Sequence, residues 1–202
     1  MKRILFSLLT IALMGIILPS QGQGLSTASS TNTQVLTKKQ QRKAQRELRR
    51  QAREFANRQA FLEALEAIKD RQWVLMATIL HGPRGASIPV SDNTNFIQFK
   101  GNIVYVQLAF NGLTGRNGLG GITVEGTPSQ VNTTVDKRGN ITHSFYVNGS
   151  NLTAQVVVYL NAGSSLANAT VYPMMNNRNL TFSGSLIPTS KAGIFRSGFI
   201  SY

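Results

Sequence analysis

The stretch Leu152-Thr153-Ala154-Gln155-Val156-Val157-Val158-Tyr159-Leu160 puts Leu152, Ala154, Val156, Val158 and Leu160 on one parity, and Thr153, Gln155 and Tyr159 on the other. Such alternation separates an apolar face from a polar one only in an extended chain, where successive side chains point to opposite sides. The pattern recurs at Val104, Val106, Leu108 and Phe110, and at Trp73, Leu75, Ala77 and Ile79. It returns at Val131 and Val135, at Ile141, Phe145 and Val147, and at Leu180, Phe182 and Leu186. Turn signals separate these runs: Gly82-Pro83, Ser91-Asp92-Asn93, Gly101-Asn102, Arg138-Gly139-Asn140, Asn148-Gly149 and Asn176-Asn177. With no helical period between them, residues 72–202 are predicted to form an antiparallel meander of about eight or nine strands. The fold class is therefore mainly β (α+β), as a curled sheet, small barrel or sandwich, because a sheet with one apolar face must bury it.

Upstream, the period changes. Thr37-Lys38-Lys39-Gln40 fits a capping box, with a threonine at the N-cap and a glutamine at the third helical position. From there to Arg71 the chain has no Gly or Pro and is dominated by Gln, Arg, Lys, Ala, Glu and Leu, all good helix formers apart from the caps. Residues 37–71 are predicted to form one long helix, a rod of roughly 50 Å at about 1.5 Å per residue. Its first half is basic. Lys38, Lys39, Arg42, Lys43, Arg46, Arg49, Arg50, Arg53 and Arg58 stand against only Glu47 and Glu54, a surplus of seven charges in a chain of net +13. Phe55, Phe61, Leu62, Leu65 and Ile68 form the stripe expected to pack on the sheet. The alternative is a coiled-coil seam through Leu48, Phe55 and Leu62, weakened by Gln51 and Arg58 at the intervening positions.

The N-terminus reads as an export signal. Met1-Lys2-Arg3 is followed by an uncharged apolar run, Ile4 to Leu18, and then Pro19-Ser20-Gln21-Gly22. Cleavage is expected after Gly22, with Gly22 and Gly24 as a second pair of small residues. The competing reading, a membrane anchor, needs about 20 apolar residues. Residues 1–22 are thus assigned to a signal peptide and 23–36, rich in Ser, Thr, Asn and Gln, to a disordered leader. The mature chain is expected to be periplasmic or secreted, not membrane-spanning, and without a cysteine it is no lipoprotein.

The 202 residues suffice for one domain with appendages, and charged residues make up 14%, well below the usual quarter. The lack of cysteine excludes disulfides, thiol catalysis and thiolate metal sites, and two histidines make a multi-His site an unpromising reading. No cofactor or metal is expected. His143 shares parity with Ile141, Phe145 and Val147, and reads either as an inward core histidine or as a buried base. The acids after Gln72 are only Asp92, Glu125 and Asp136, and no Gly-x-Ser-x-Gly elbow is present. An enzyme is not expected. Six Asn-x-Ser/Thr sequons, starting at Asn132, Asn140, Asn148, Asn151, Asn168 and Asn179, reflect the abundance of Asn and Thr in the β-region.

The densest glycine cluster, Asn111 to Gly121, runs into Ile122-Thr123-Val124-Glu125-Gly126. It lacks a Gly-Lys-Ser/Thr ending and leads into a strand, so a β-connection is favoured over a phosphate loop. Asn117-Gly118-Leu119-Gly120-Gly121-Ile122-Thr123-Val124-Glu125-Gly126, together with Trp73-Val74-Leu75, Asn95-Phe96-Ile97 and Val106-Gln107 behind a basic helix, resembles an uncharacterised secreted family of Bacteroides-type bacteria, the domain of unknown function 4251. The resemblance runs from about Lys38 to the C-terminus and implies export and a β-rich domain, but no activity. At Leu75-Met76-Ala77-Thr78 the sequence lacks the acid associated with that place in the family.

Two functional readings follow. One is a non-catalytic cell-envelope binding module with a small apolar ligand or an exposed sheet face as its site. The other is an adaptor that meets anionic envelope components through Lys38, Lys39, Arg42, Lys43, Arg46, Arg49, Arg50 and Arg53. Nucleic acid is the poorer partner, because Phe55 is the only aromatic between Lys38 and Arg58. Hydrolysis is a third reading and requires His143 beside Asp92, Glu125 or Asp136.

Overall fold

The computed structural model describes residues 37–82, 85–109, 121–150, 153–175 and 179–196. The expected signal peptide with its cleavage after Gly22, the expected leader, and the glycine cluster up to Gly120 lie outside the described residues. One helix, α1 (Lys38–Lys69), precedes nine strands: β1 (Gln72–His81), β2 (Ser87–Pro89), β3 (Phe96–Lys100), β4 (Ile103–Leu108), β5 (Ile122–Val135), β6 (Ile141–Asn148), β7 (Thr153–Leu160), β8 (Leu166–Pro173) and β9 (Leu180–Pro188). The capping box forms: Gln40 N–H donates to Thr37 Oγ1, and Thr37 N–H donates to Gln40 Oε1 at 2.8 Å.

The sheet closes on itself. From β3 to β9 each strand pairs antiparallel with the next, and β9 returns to pair with β1, making an eight-stranded barrel with β2 as an extra strand. Of the expected forms, the small barrel is the one adopted. β2 and β3 lie end to end along one side of β1, opposite Ile79–His81 and Gln72–Met76 respectively. The excursion between them is tied by buried Asn95, whose carbonyl accepts from Ala77 N–H and whose Oδ1 accepts from Ala109 N–H.

Two glycines permit the closure. A Cβ at Gly184 would overlap the Met76 carbonyl, beside the β1–β9 irregularity between Ala77 and Ile79. A Cβ at Gly126 would come within 2.6 Å of Val147 Cγ1, where β5 leaves β4 and takes β6 as its partner. The β1 bulge also reverses parity. Leu80, not Ile79, is buried, which corrects the expectation for the end of that strand. Val131 packs against the core, while Val135 is 64% exposed.

The interior is filled by side chains, as suits a barrel of about eight strands. Trp73, Phe99, His143 and Phe145 meet at its centre, with Trp73 and Phe99 stacked at 5.7 Å between ring centroids. Ala64, Ala67 and Ile68 of α1 belong to the same buried cluster, so the last turns of the helix cap one end of the barrel. The packing stripe is shorter than its sequence suggests. Phe61, Leu65 and Ile68 pack, whereas Leu62 is half-exposed and Phe55 is 67% exposed. A second buried layer lies outside the barrel, where Val74, Phe96, Gln98 and Gln107 point away from the interior. The chain after β9 crosses this side: Gln107 Nε2 donates to Phe195 O at 2.8 Å, and the Arg196 guanidinium sits over the Tyr105 ring.

Candidate functional site

Residues 37–59 are exposed throughout. Glu54, Asn57 and Arg58 already border a cleft with Gly163 of the β7–β8 turn, and the helix before them, 38–53, stands clear of the barrel as an arm. The helix turns about 100° per residue, and on that basis Lys38, Lys39, Arg42, Lys43, Arg46, Arg49, Arg50 and Arg53 fall within an arc of about 140°. Ala64, Ala67 and Ile68 share this azimuth further along, so the arm turns its basic side the way its docked half faces the barrel. Among the described residues only Arg50 of these eight has an ion pair, with Glu54 at 3.0 Å. Like charges four apart, Arg42–Arg46, Arg46–Arg50 and Arg49–Arg53, repel one another, and no acid offsets them in the first turn. Such an arc costs helix stability and concentrates positive potential. Leu48, Phe55 and Leu62 occupy the opposite side of the arm.

The second place with chemical potential is the barrel centre. His143 Nδ1 lies 2.8 Å from Thr133 Oγ1, and its ring packs edge-on to Trp73 at 5.8 Å. His143 Nε2 and Trp73 Nε1 have no hydrogen-bond partner among the described residues. Burial pushes the imidazole down to about 4, with the nearby positive charge of Arg71 acting in the same direction. The group is therefore a neutral ring held among aromatics.

Asp92, Glu125 and Asp136 do not join it. Asp136 caps its own turn, accepting from Arg138 N–H, Asn140 N–H and Asn140 Nδ2, and the Asn140 side chain foremost holds its carboxyl below the usual range. Glu125 lies across the β4–β5 ladder from Tyr105 and is exposed, as is Asp92 in the turn before β3. His81, at the end of β1, bridges Ser87 at 2.8 Å and Ser183 at 3.0 Å. Among the described residues no group of three or more His, Asp or Glu side chains is placed to hold a metal ion, and no helix is long and apolar enough to cross a membrane. Beside α1, a cleft of about 560 Å³ is lined by Glu63, Glu66, Asp70 and the Pro188–Lys191 turn, with Lys191 Nζ bonded to Glu63 at 2.7 Å.

These features define a class: an antiparallel β-barrel with a filled interior, capped by the end of one helix whose other half projects as a cationic arm. The family model for DUF4251, a domain of unknown function, matches residues 56–186. The chain belongs to that family. A crystal structure of a DUF4251 family protein from Bacteroides eggerthii is similar to it, with 38% sequence identity over 72% of this chain and 99% of that chain, at a TM-score of 0.62. Among curated proteins there is no match. The matched residues include the barrel-capping turns of α1 and leave out the basic arc.

Proposed function

We propose that this protein is an exported, non-catalytic module of the cell envelope that docks on anionic surfaces or polymers through its arm. The observation that carries this reading is the arc of eight basic side chains, from Lys38 to Arg53, on exposed helix with a single ion pair among them. The barrel interior favours the arm over an apolar ligand as the point of contact, since Trp73, Phe99 and Phe145 occupy the centre themselves. A neutral His143 bonded to a threonine, away from every acid, supports a non-catalytic role.

Each basic residue near an anionic bilayer adds about 1 kcal/mol of attraction, screened within about 10 Å at moderate salt. The full chain should therefore co-sediment with phosphatidylglycerol vesicles at low salt, release at several hundred millimolar as an order of magnitude, and ignore phosphatidylcholine vesicles. Replacing Arg46, Arg49, Arg50 and Arg53 with Gln should abolish co-sedimentation without changing the thermal midpoint of the barrel. Undiminished sedimentation of that variant would move the contact elsewhere and end the adaptor reading.

A further inference from the structure

Charge is missing from one whole side of the barrel. Across residues 141–188, which hold β6 to β9, the only charged residue is Arg178, in a chain of net +13. Because the apolar parity faces inward, the other parity turns Thr, Ser, Asn, Gln and Tyr outward over four adjacent strands, with Val157, Leu166 and Ile187 the apolar exceptions. The cross-strand register sets Tyr146 opposite Gln155 and Gln155 opposite Tyr172, in one row across the wall. Two rows away Tyr159 stands opposite Asn168. Neighbouring strands lie about 4.8 Å apart, so Tyr146 and Tyr172 are separated by about 10 Å, with Tyr159 roughly 13 Å along its strand from that row. Tyr159 and Tyr172 are 38% and 39% exposed. The polar groups around them hold one another in place: Thr170 Oγ1 lies 2.9 Å from Thr181 Oγ1, and Ser183 Oγ donates to Asn168 Oδ1 at 2.6 Å.

The chemistry of this wall selects its partner. Hydrocarbon would strand its hydroxyls and amides without hydrogen-bond partners. A polyanion finds no cation on these strands, and a polycation finds no carboxylate. The centre of a protein interface is enriched in aromatics, methionine and arginine. The wall shares the tyrosines, but its four strands hold no methionine or arginine, and the exposed Met174 and Met175 follow β8 at its edge. What remains complementary is a neutral, hydroxyl-rich polymer. Its ring faces stack on tyrosines, and its hydroxyls exchange hydrogen bonds with Ser, Thr, Asn and Gln, each both donor and acceptor. We infer that the outer face of β6–β9 is a binding surface for an uncharged polysaccharide, with Tyr146, Tyr159 and Tyr172 as stacking platforms and Gln155, Asn168 and Thr170 as hydrogen-bonding groups between them. This surface is separate from the arm and stands whether or not the arm binds anions.

The two contacts differ in their response to salt, and the test uses that difference. The full chain is sedimented with cellulose, starch, mannan and chitin particles, at low salt and at several hundred millimolar as an order of magnitude, where charge contacts are screened. Binding to at least one of these polymers should be equal in both buffers. The Tyr159→Thr/Tyr172→Thr double variant places a good strand former at exposed positions, so it should keep the thermal midpoint and bind about tenfold more weakly. Failure to bind any of the four polymers overturns the inference. So does binding that salt abolishes, or that the double variant retains in full. A dimer of the full chain that the same two substitutions dissociate would identify the wall as a protein interface, and would also overturn it.

Discussion

The arm and the barrel are built from opposite materials. Between Lys38 and Arg58 the chain carries nine basic residues and two acids, whereas the four strands from β6 to β9 carry none of either. The arm is all local structure: its hydrogen bonds run four residues along the helix, and its cap is made within four residues at Thr37 and Gln40. The barrel is all long-range structure, closed by a β1–β9 pairing between residues about a hundred positions apart, such as Leu75 and Leu186. Stability is concentrated in one region and charge in the other, so each can be altered with little effect on the other.

The largest effect is expected at the barrel seam. Gly184 faces the Met76 carbonyl so closely that any side chain there must displace backbone, on the strand pair that closes the sheet. Gly184→Val should cost on the order of 4 kcal/mol or more and remove the cooperative unfolding transition. The β signal in circular dichroism should be lost. A variant that melts within a few degrees of the parent would mean that the seam is not what holds the barrel shut.

The next effect is a pH dependence confined to the barrel. Free in the unfolded chain, the His143 imidazole titrates near 6.5; buried in the folded one, at about 4. Between those values the unfolded state binds the proton that the folded state excludes, so stability is complete above the upper value and falls as pH drops toward the lower one. The loss reaches about 3 kcal/mol, following the shift between the two states. Urea titrations from pH 7 to pH 4 should follow this slope, and His143→Leu, whatever its own starting stability, should flatten it. An identical slope in that variant would assign the acid sensitivity to other groups.

The parts of the molecule legible in the sequence were those fixed by local rules. Alternation at Ala154, Val156 and Val158 gave the strands, and the Thr37–Gln40 pair gave the start of the helix. Closure was not legible, because a barrel and a curled sheet share the same alternation. The difference lies in Gly184 and in a one-residue bulge that moves Leu80 inward and Ile79 outward. The packing of α1 is only partly legible: Phe55 is large and apolar yet exposed, whereas Ala64 and Ala67, small enough to let the helix seat closely, are buried at the contact. Of the candidate sites, the basic arc was visible as a charge run, but its confinement to one side appears only when the helical turn is applied. The neutral wall is not legible from any single strand, since polar residues on the outer parity match ordinary solvation and only the absence of Lys, Arg, Asp and Glu from four consecutive strands marks it.

The smallest effect is the most demanding test of the comparison, because it requires almost no change. Every residue from Lys38 to Arg53 is exposed, and the one ion pair in that stretch, Arg50–Glu54, is a surface pair at i,i+4 with both side chains largely in water. Its nearest buried neighbour along the helix is Ala64, more than two turns further on. Removing residues 38–53 therefore takes away charge repulsion and solvated helix but no packing, and the unfolding free energy of the barrel from urea titration should change by less than about 0.5 kcal/mol. Ile68→Ala, on the same helix, is buried against the barrel and should cost about 2–4 kcal/mol. The two variants divide α1 into an arm and a cap at the point where the side chains become buried. If the truncation destabilised the barrel as much as Ile68→Ala does, the arm would be a structural member, and its basic side would be occupied by the protein itself rather than free to meet a partner.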